Sequence, residues 1–236
     1  MKPYQQVPIQ DCGEPLVPLP VNDFAVVSPH PYQALGAPYG DRSPYWLRQS
    51  VVTALQTAQQ HLQRRHPGWR IQIFDAYRPL AVQQFMVDYT THQIAQAQNR
   101  VLAELSPAEH QQLMATVYQF WASPSHAPNT PPPHSTGAAI DVSLVDTAGE
   151  PIDMGSPIDE ISERSYPDHF QAATEPLDQQ RHRDRCCLRH IMESAGFRQH
   201  PNEWWHFSLG DQLWAWLTEQ VTHQPQTAKY GRAVDS

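Results

Sequence analysis

The chain has 236 residues, with 16 basic and 24 acidic side chains that give a formal net charge of -8. A chain of this length can bury most of its unfolded surface in one domain without disulfides. The acidic balance argues against a nucleic-acid or anionic-membrane partner, and no apolar run is long enough for a transmembrane helix. We therefore expect one domain over residues 1–236, with an N-terminal arm at 1–42 and a flexible tail at 222–236.

Two further features bear on the cellular setting. The first fifteen residues hold one Lys and no apolar segment, unlike a secretory signal, so we expect a cytoplasmic protein; a periplasmic location fits a processed chain. The three cysteines, Cys12, Cys186 and Cys187, form neither a C-x-x-C pair nor a disulfide framework, and we expect free thiols. No pattern indicates an oligomeric state.

Apolar residues at helical spacing predict five helices along the chain. The first is expected to begin at Ser43-Pro44, as an N-cap followed by Pro, and to end near His66. The other helices are expected at 80–98, from a capping box at Ser106, at 178–195, and after Asp211.

Alternating or apolar segments predict strands at 69–74, 139–145 and 204–209, with a short strand at 24–27. Prolines exclude a helix or a central strand between residues 123 and 133, and residues 151–176 read as an irregular segment. Helices and strands do not alternate regularly, so the fold class is α+β.

A first group of chemically active residues surrounds Gly137. His134 ends the Pro-rich loop, and Asp141 follows in the strand predicted at 139–145. In a regular strand the two would face opposite ways, but a Gly with positive φ lets the chain turn so that both side chains converge. Taken alone, the pair fits a metal site or a structural hydrogen bond.

A second group is Glu203-Trp-Trp-His206, in which Glu203 is expected at the bend that enters the last strand. From there its carboxylate can reach over a metal bound by His206. The same sequence is also compatible with a solvated loop acid at Glu203 and a hydrogen-bonded core His at His206. Arg78, at the end of a strand, offers a fork of donors to an oxyanion or forms a surface pair with Asp75.

Together these motifs resemble the D-alanyl-D-alanine dipeptidases, zinc D,D-peptidases that share a fold with the hedgehog signalling domain. The matching stretches are FDAYRP (74–79), HSTGAAIDVSL (134–144), MGSPIDEISERS (154–165), RCCLRHIMESAGF (185–197) and EWWHF (203–207). The resemblance implies a small, mostly antiparallel sheet with flanking helices. It also implies hydrolysis of D-Ala-D-Ala and similar free dipeptides in a single zinc D,D-dipeptidase domain.

The resemblance assigns roles by position. One Zn²⁺ per chain would be held by His134, Asp141 and His206, and Glu203 would be the general base acting on a zinc-bound water. Arg78 would assist the transition state, and Asp159 would receive the substrate ammonium.

The sequence departs from the family pattern at Pro132, where the family usually has Ser, so the substrate contact of that hydroxyl is missing. The alternatives are a D,D-carboxypeptidase of the same superfamily that trims peptidoglycan stem peptides, and a non-catalytic zinc-binding domain.

Overall fold

A five-stranded sheet lies at the centre of the computed structural model, which describes residues 2–233. Its strands in spatial order are β2 (Ala25–Val26), β4 (Arg70–Asp75), β5 (Ala139–Val145), β7 (His206–Ser208) and β6 (Arg198–Gln199). The pair β2–β4 is parallel and the other pairs are antiparallel. A separate antiparallel pair joins β1 (Leu16–Pro18) to β3 (Trp46–Arg48). The predicted α+β fold with a small, mostly antiparallel sheet is confirmed.

Helices surround this sheet in the described part of the chain. They are α1 (Pro31–Ala34), α2 (Gln49–Arg65), α3 (Leu80–Ala97), α4 (Pro107–Phe120), α5 (Pro176–Ser194) and α6 (Gln212–Thr222). Helix α2 packs against α5 and β4, and the shared core includes the fully buried Leu55, Ile73 and Leu188. Each such side chain contributes roughly 1.5–3 kcal/mol by leaving water. Within residues 2–233 no helix is both long and apolar enough to span a membrane.

The start of α2 differs from the sequence prediction. The helix begins at Gln49, not at Ser43-Pro44, because Trp46–Arg48 forms β3 and pairs with β1. The Ser43 hydroxyl accepts a hydrogen bond from the Tyr45 backbone N–H, which stabilises a local turn in place of a helical N-cap. The contacts that extend this stretch come from the N-terminal arm and could not be read from local spacing.

Other helix ends follow their sequence signals. Ser106 and Glu109 form the predicted capping box at the start of α4, and Asp211 caps α6 by accepting from the Trp214 N–H. Gly196 follows α5 with a φ of 99°, a conformation that glycine adopts at low cost.

Residues 228–233 of the predicted flexible tail pack against the rest of the chain. Ala228 is fully buried and pairs with Ile9 of the arm, and Tyr230 is nearly buried. The Ala233 N–H donates to the Ser135 carbonyl at 2.9 Å. Apolar side chains and backbone donors therefore anchor this segment, and the last three residues of the predicted tail lie outside the described chain.

Candidate functional site

Adjacent strands bring the three predicted metal ligands together. Asp141 on β5 lies opposite His206 on β7 in the sheet register. His134 lies in a short 3-10 turn, Pro133–Thr136, that ends at Gly137 with a φ of 70°. This left-handed residue turns the chain from the His134 loop into β5, as its position in the sequence predicted. All three ligand side chains are buried.

The ligand atoms face one another at short distances. His134 Nε2 lies 3.2 Å from Asp141 Oδ2 and 3.2 Å from His206 Nδ1, and His206 Nδ1 lies 3.1 Å from Asp141 Oδ1. Burial alone would raise the pKa of Asp141, but the two histidines beside it hold the pKa below its ordinary value. The carboxylate is therefore kept ionised, as a metal ligand must be.

The donor set fits zinc. Asp141 Oδ1 is buried and accepts no hydrogen bond within the described chain, although His206 Nδ1 is only 3.1 Å away. A buried polar atom without a partner is costly, and a cation between the three ligand atoms would satisfy it. Two His nitrogens and one carboxylate also leave a fourth position open, which is typical of catalytic zinc sites.

Outer contacts orient both imidazoles. His134 Nδ1 lies 2.7 Å from the Ala76 carbonyl, so it carries the proton and leaves Nε2 free for a metal. His206 Nε2 lies 3.4 Å from the Ser208 hydroxyl, which in turn donates to Asp211. The tautomers that these contacts favour direct His134 Nε2 and His206 Nδ1 towards the same point.

Glu203 lies directly beside these ligands. Its side chain is buried, with Oε2 at 3.7 Å from His206 Nδ1 and Oε1 at 3.6 Å from His200 Nδ1. Oε1 has no hydrogen-bond partner in the described chain. Burial, followed by the negative charge of Asp141, raises the pKa of Glu203 well above its ordinary value. The carboxyl group thus has an unpartnered oxygen and a raised proton affinity, which are properties expected of a candidate general base.

Arg78 is held rigidly next to the metal ligand Asp141. Its Nε and one terminal nitrogen donate to Asp75 at 2.9 and 2.8 Å, and the other terminal nitrogen donates to Gln83 at 3.0 Å. The guanidinium also lies 3.3 Å from Asp141 Oδ2 and 5.0 Å from the ring centre of Trp121. This arrangement fixes a permanent positive charge next to the metal ligands.

Asp159 completes the predicted set. It lies in the irregular segment between β5 and α5, with a φ of 66°, and its Oδ2 accepts a hydrogen bond from the Tyr32 hydroxyl at 2.8 Å. Burial of the carboxyl, and then the charge of Asp141, raises the pKa of Asp159 to about 7. A cation bound next to it would lower this pKa and gain a strong charge-assisted contact.

One cavity, called the central pocket below, joins the predicted residues. Its lining includes Arg78, His134, Asp141, Asp159, Glu203 and His206. The site therefore combines a metal-binding triad, an unengaged acid, a fixed cation and a separate carboxylate, which is a set suited to polar bond hydrolysis at a metal.

Comparison with known proteins identifies the family. A family model described as D-ala-D-ala dipeptidase matches residues 26–226. The chain belongs to the D-Ala-D-Ala dipeptidase family. A curated D-alanyl-D-alanine dipeptidase from Synechocystis sp. is 50% identical over 240 residues, covering 98% of this chain and 97% of that protein. The D-alanyl-D-alanine dipeptidase of Enterococcus faecalis is 33% identical and covers 69% of this chain and 72% of its own.

Solved structures also resemble this dipeptidase family member. A mutant of VanY, a D,D-pentapeptidase from a VanB-type vancomycin resistance cassette, was solved in complex with Zn(II). It aligns with a TM-score of 0.44 at 14% identity, over 80% of this chain and 85% of that chain. The LD-carboxypeptidase LdcB aligns with a TM-score of 0.46 at 13% identity, over 92% and 76%.

The structure adds residues to the site that sequence motifs did not indicate. Tyr32, His30 and Lys2 all come from the N-terminal arm, which has no periodic pattern. Tyr32 contacts Asp159, His30 contacts Asp75 at 3.1 Å, and Lys2 lines the central pocket. The dipeptidase family match begins within this arm at residue 26. It therefore covers His30 and Tyr32, although no local motif indicates them.

Asp75 supports Arg78, and its removal is expected to destabilise the fold. It is fully buried and accepts hydrogen bonds from Arg78, Tyr39 and His30. We expect Asp75→Ala to lower the free energy of unfolding by about 3–5 kcal/mol, because it leaves a buried Arg without its counter-charge. Urea unfolding monitored by tryptophan fluorescence measures this loss.

The matched control is Asp168→Ala, which breaks an exposed Arg189–Asp168 pair of 3.0 Å. Exposed pairs contribute about 0–1 kcal/mol, so this variant should unfold close to wild type. Equal stabilities of Asp75→Ala and Asp168→Ala would contradict a structural role for the buried pair.

Proposed function

We propose that this protein is a zinc-dependent dipeptidase that hydrolyses D-Ala-D-Ala and similar dipeptides with a free amino group. The observation that carries the proposal is the shared pocket: an unengaged acid, Glu203, and a separate carboxylate, Asp159, face the same triad of metal ligands. The curated relatives with similar sequences are D-alanyl-D-alanine dipeptidases, which supports the same substrate class.

In this proposal His134, Asp141 and His206 hold the zinc ion. Zinc in such a site supplies Lewis-acid chemistry, since it lowers the pKa of water to about 7 and polarises carbonyl oxygens. Glu203 takes the proton of the attacking water on Oε1, which has no other partner in the described chain, and then transfers it to the leaving amine. No covalent intermediate with the protein is needed.

Arg78 and Asp159 recognise charges on the substrate. The Arg78 guanidinium, fixed by Asp75 and Gln83, stabilises the oxyanion that develops when water attacks the peptide carbonyl. Asp159 pairs with the free ammonium of the dipeptide, and Tyr32 orients its carboxylate. An N-acylated substrate lacks this ammonium and would leave Asp159 without a cationic partner.

The substrate prediction follows from Asp159. We expect Asp159→Asn to lower kcat/KM for D-Ala-D-Ala by about 10–100-fold, the size of a lost charge-assisted hydrogen bond. The already poor turnover of the N-acetylated dipeptide should change by no more than a few-fold, because it makes no ion pair. Steady-state kinetics on both substrates measures the difference.

Asp153→Asn is the matched control, since Asp153 lies in the same irregular segment but pairs with Arg181 on the surface. Its kinetics should equal those of wild type. The same assay on a pentapeptide ending in D-Ala-D-Ala distinguishes the alternatives. Preference for the pentapeptide would make the protein a D,D-carboxypeptidase, and no hydrolysis by zinc-loaded protein would favour a non-catalytic zinc-binding domain.

A further inference from the structure

The central pocket contains a second cation, Lys2, which the sequence motifs did not indicate. It precedes a short 3-10 turn, Pro3–Gln6, that packs against α6. The Gln212 side-chain amide of α6 donates to the Val7 carbonyl at 2.7 Å, and Tyr4 is buried in the pocket wall. These contacts hold the N-terminal segment in place, so that Lys2 has a defined position.

Lys2 and Arg78 differ in how their charges are balanced. Arg78 is engaged by Asp75, Gln83 and Asp141 at distances of 2.8–3.3 Å. Lys2 Nζ donates to the Trp121 carbonyl at 3.4 Å, and no ion pair joins it to a carboxylate of residues 2–233. Burial lowers the pKa of the Lys2 ammonium, and the charge of Glu203 only partly offsets this. An anion in the pocket would supply the missing counter-charge.

The two charges left for a ligand come from different segments of the pocket wall. Asp159 lies with Tyr32 on the Arg78 side, since the Tyr32 hydroxyl contacts both residues. Lys2 reaches the pocket from the N-terminal segment, where its Nζ donates to the Trp121 carbonyl. A free dipeptide is a zwitterion with an ammonium at one end and a carboxylate at the other, so the pocket offers a group of opposite charge to each end.

The Pro-rich loop before His134 contributes no donor to the pocket. Residues 131–133 are consecutive prolines that precede His134, and Pro133 lines the central pocket. Proline has no backbone N–H, so these three residues offer no main-chain donor to an anion. Of the Lys and Arg side chains that line the pocket in the described chain, Lys2 is the one that no carboxylate engages.

We propose that Lys2 binds the C-terminal carboxylate of the dipeptide substrate and thereby selects substrates that end directly after the scissile bond. This inference rests on the dipeptidase function proposed above. It assigns opposite ends of the substrate to Asp159 and Lys2, with the scissile carbonyl between them at the triad. Lys2 is one of two lysines in the chain, and the other, Lys229, is exposed and lies over the Trp214 ring.

The test compares D-Ala-D-Ala with its C-terminal amide, which keeps the size but lacks the charge. Lys2→Met should lower kcat/KM for the dipeptide by about 10–100-fold, mostly through KM, and that for the amide by less than about 3-fold. Lys2→Arg should keep most of the activity because it keeps the charge. Lys229→Met is the matched control and should behave as wild type with both substrates.

Equal losses for the dipeptide and the amide in Lys2→Met would overturn the proposal, because they would indicate a structural role. Unchanged kinetics for the dipeptide would overturn it as well. Calorimetric binding of D-Ala-D-Ala to zinc-loaded protein separates this inference from the proposed activity. If wild type binds but does not hydrolyse the dipeptide, and Lys2→Met loses that affinity, the dipeptidase function fails while the Lys2 subsite stands.

Discussion

Replacing Glu203 by Gln is expected to reduce kcat for D-Ala-D-Ala by about 10²–10⁴-fold, the contribution typical of a general acid–base group. The amide keeps the size of the side chain but cannot take a proton from water. Because Glu203 Oε1 has no hydrogen-bond partner in the described chain, the exchange breaks no contact that holds the fold. Steady-state kinetics, zinc analysis and urea unfolding on the same sample measure the three consequences.

Glu193→Gln makes the same chemical change on the exposed surface of α5 and serves as the control. Zinc content and unfolding free energy should be the same in wild type and in both variants. Loss of zinc from Glu203→Gln would mean that Glu203 is a metal ligand. Turnover close to wild type would remove Glu203 from the mechanism.

His206→Ala is expected to abolish stoichiometric zinc binding and, with it, hydrolysis. Wild-type protein should hold about one zinc per chain, because His134, Asp141 and His206 form a three-ligand site. The variant keeps only two ligand side chains on separate parts of the chain. Metal analysis after dialysis, together with chelation and zinc readdition to wild type, measures the effect.

His92→Ala is the control, since His92 is exposed on α3 and the chain has thirteen histidines that could bind metal nonspecifically. It should retain one zinc and full activity. Stoichiometric zinc surviving dialysis in His206→Ala would contradict the ligand assignment, whatever the activity of the variant.

The local parts of the site could be predicted because they lie in short sequence motifs. His134, Gly137 and Asp141 fall within one turn and strand, and Glu203 and His206 are three positions apart. Spacing of this kind limits the geometry, and the positive φ of Gly137 follows from the need to bring two ligands together. The α+β class followed from the irregular order of the predicted helices and strands, and the mostly antiparallel sheet was implied by the family resemblance.

The contacts between distant segments could not be predicted in this way. Nothing local indicates that Asp141 pairs with His206 in the sheet, or that Lys2 reaches a pocket built by the second half of the chain. The start of α2 was misplaced for the same reason, because β3 exists only through its pairing with β1. Periodicity indicates which face of a helix or strand is apolar. Strand pairing and pocket contacts depend instead on which distant segment packs against that element.

The segments at the two ends of the described chain are structural parts of the catalytic centre. Lys2 lines the pocket at one end, and Ala233 bonds to the Ser135 carbonyl, next to His134, at the other. The bridge between Ile9 and Ala228 ties the two segments together. A substitution that opens this bridge would therefore loosen the pocket from both segments at once, while the hydrophobic core around the central sheet stays packed.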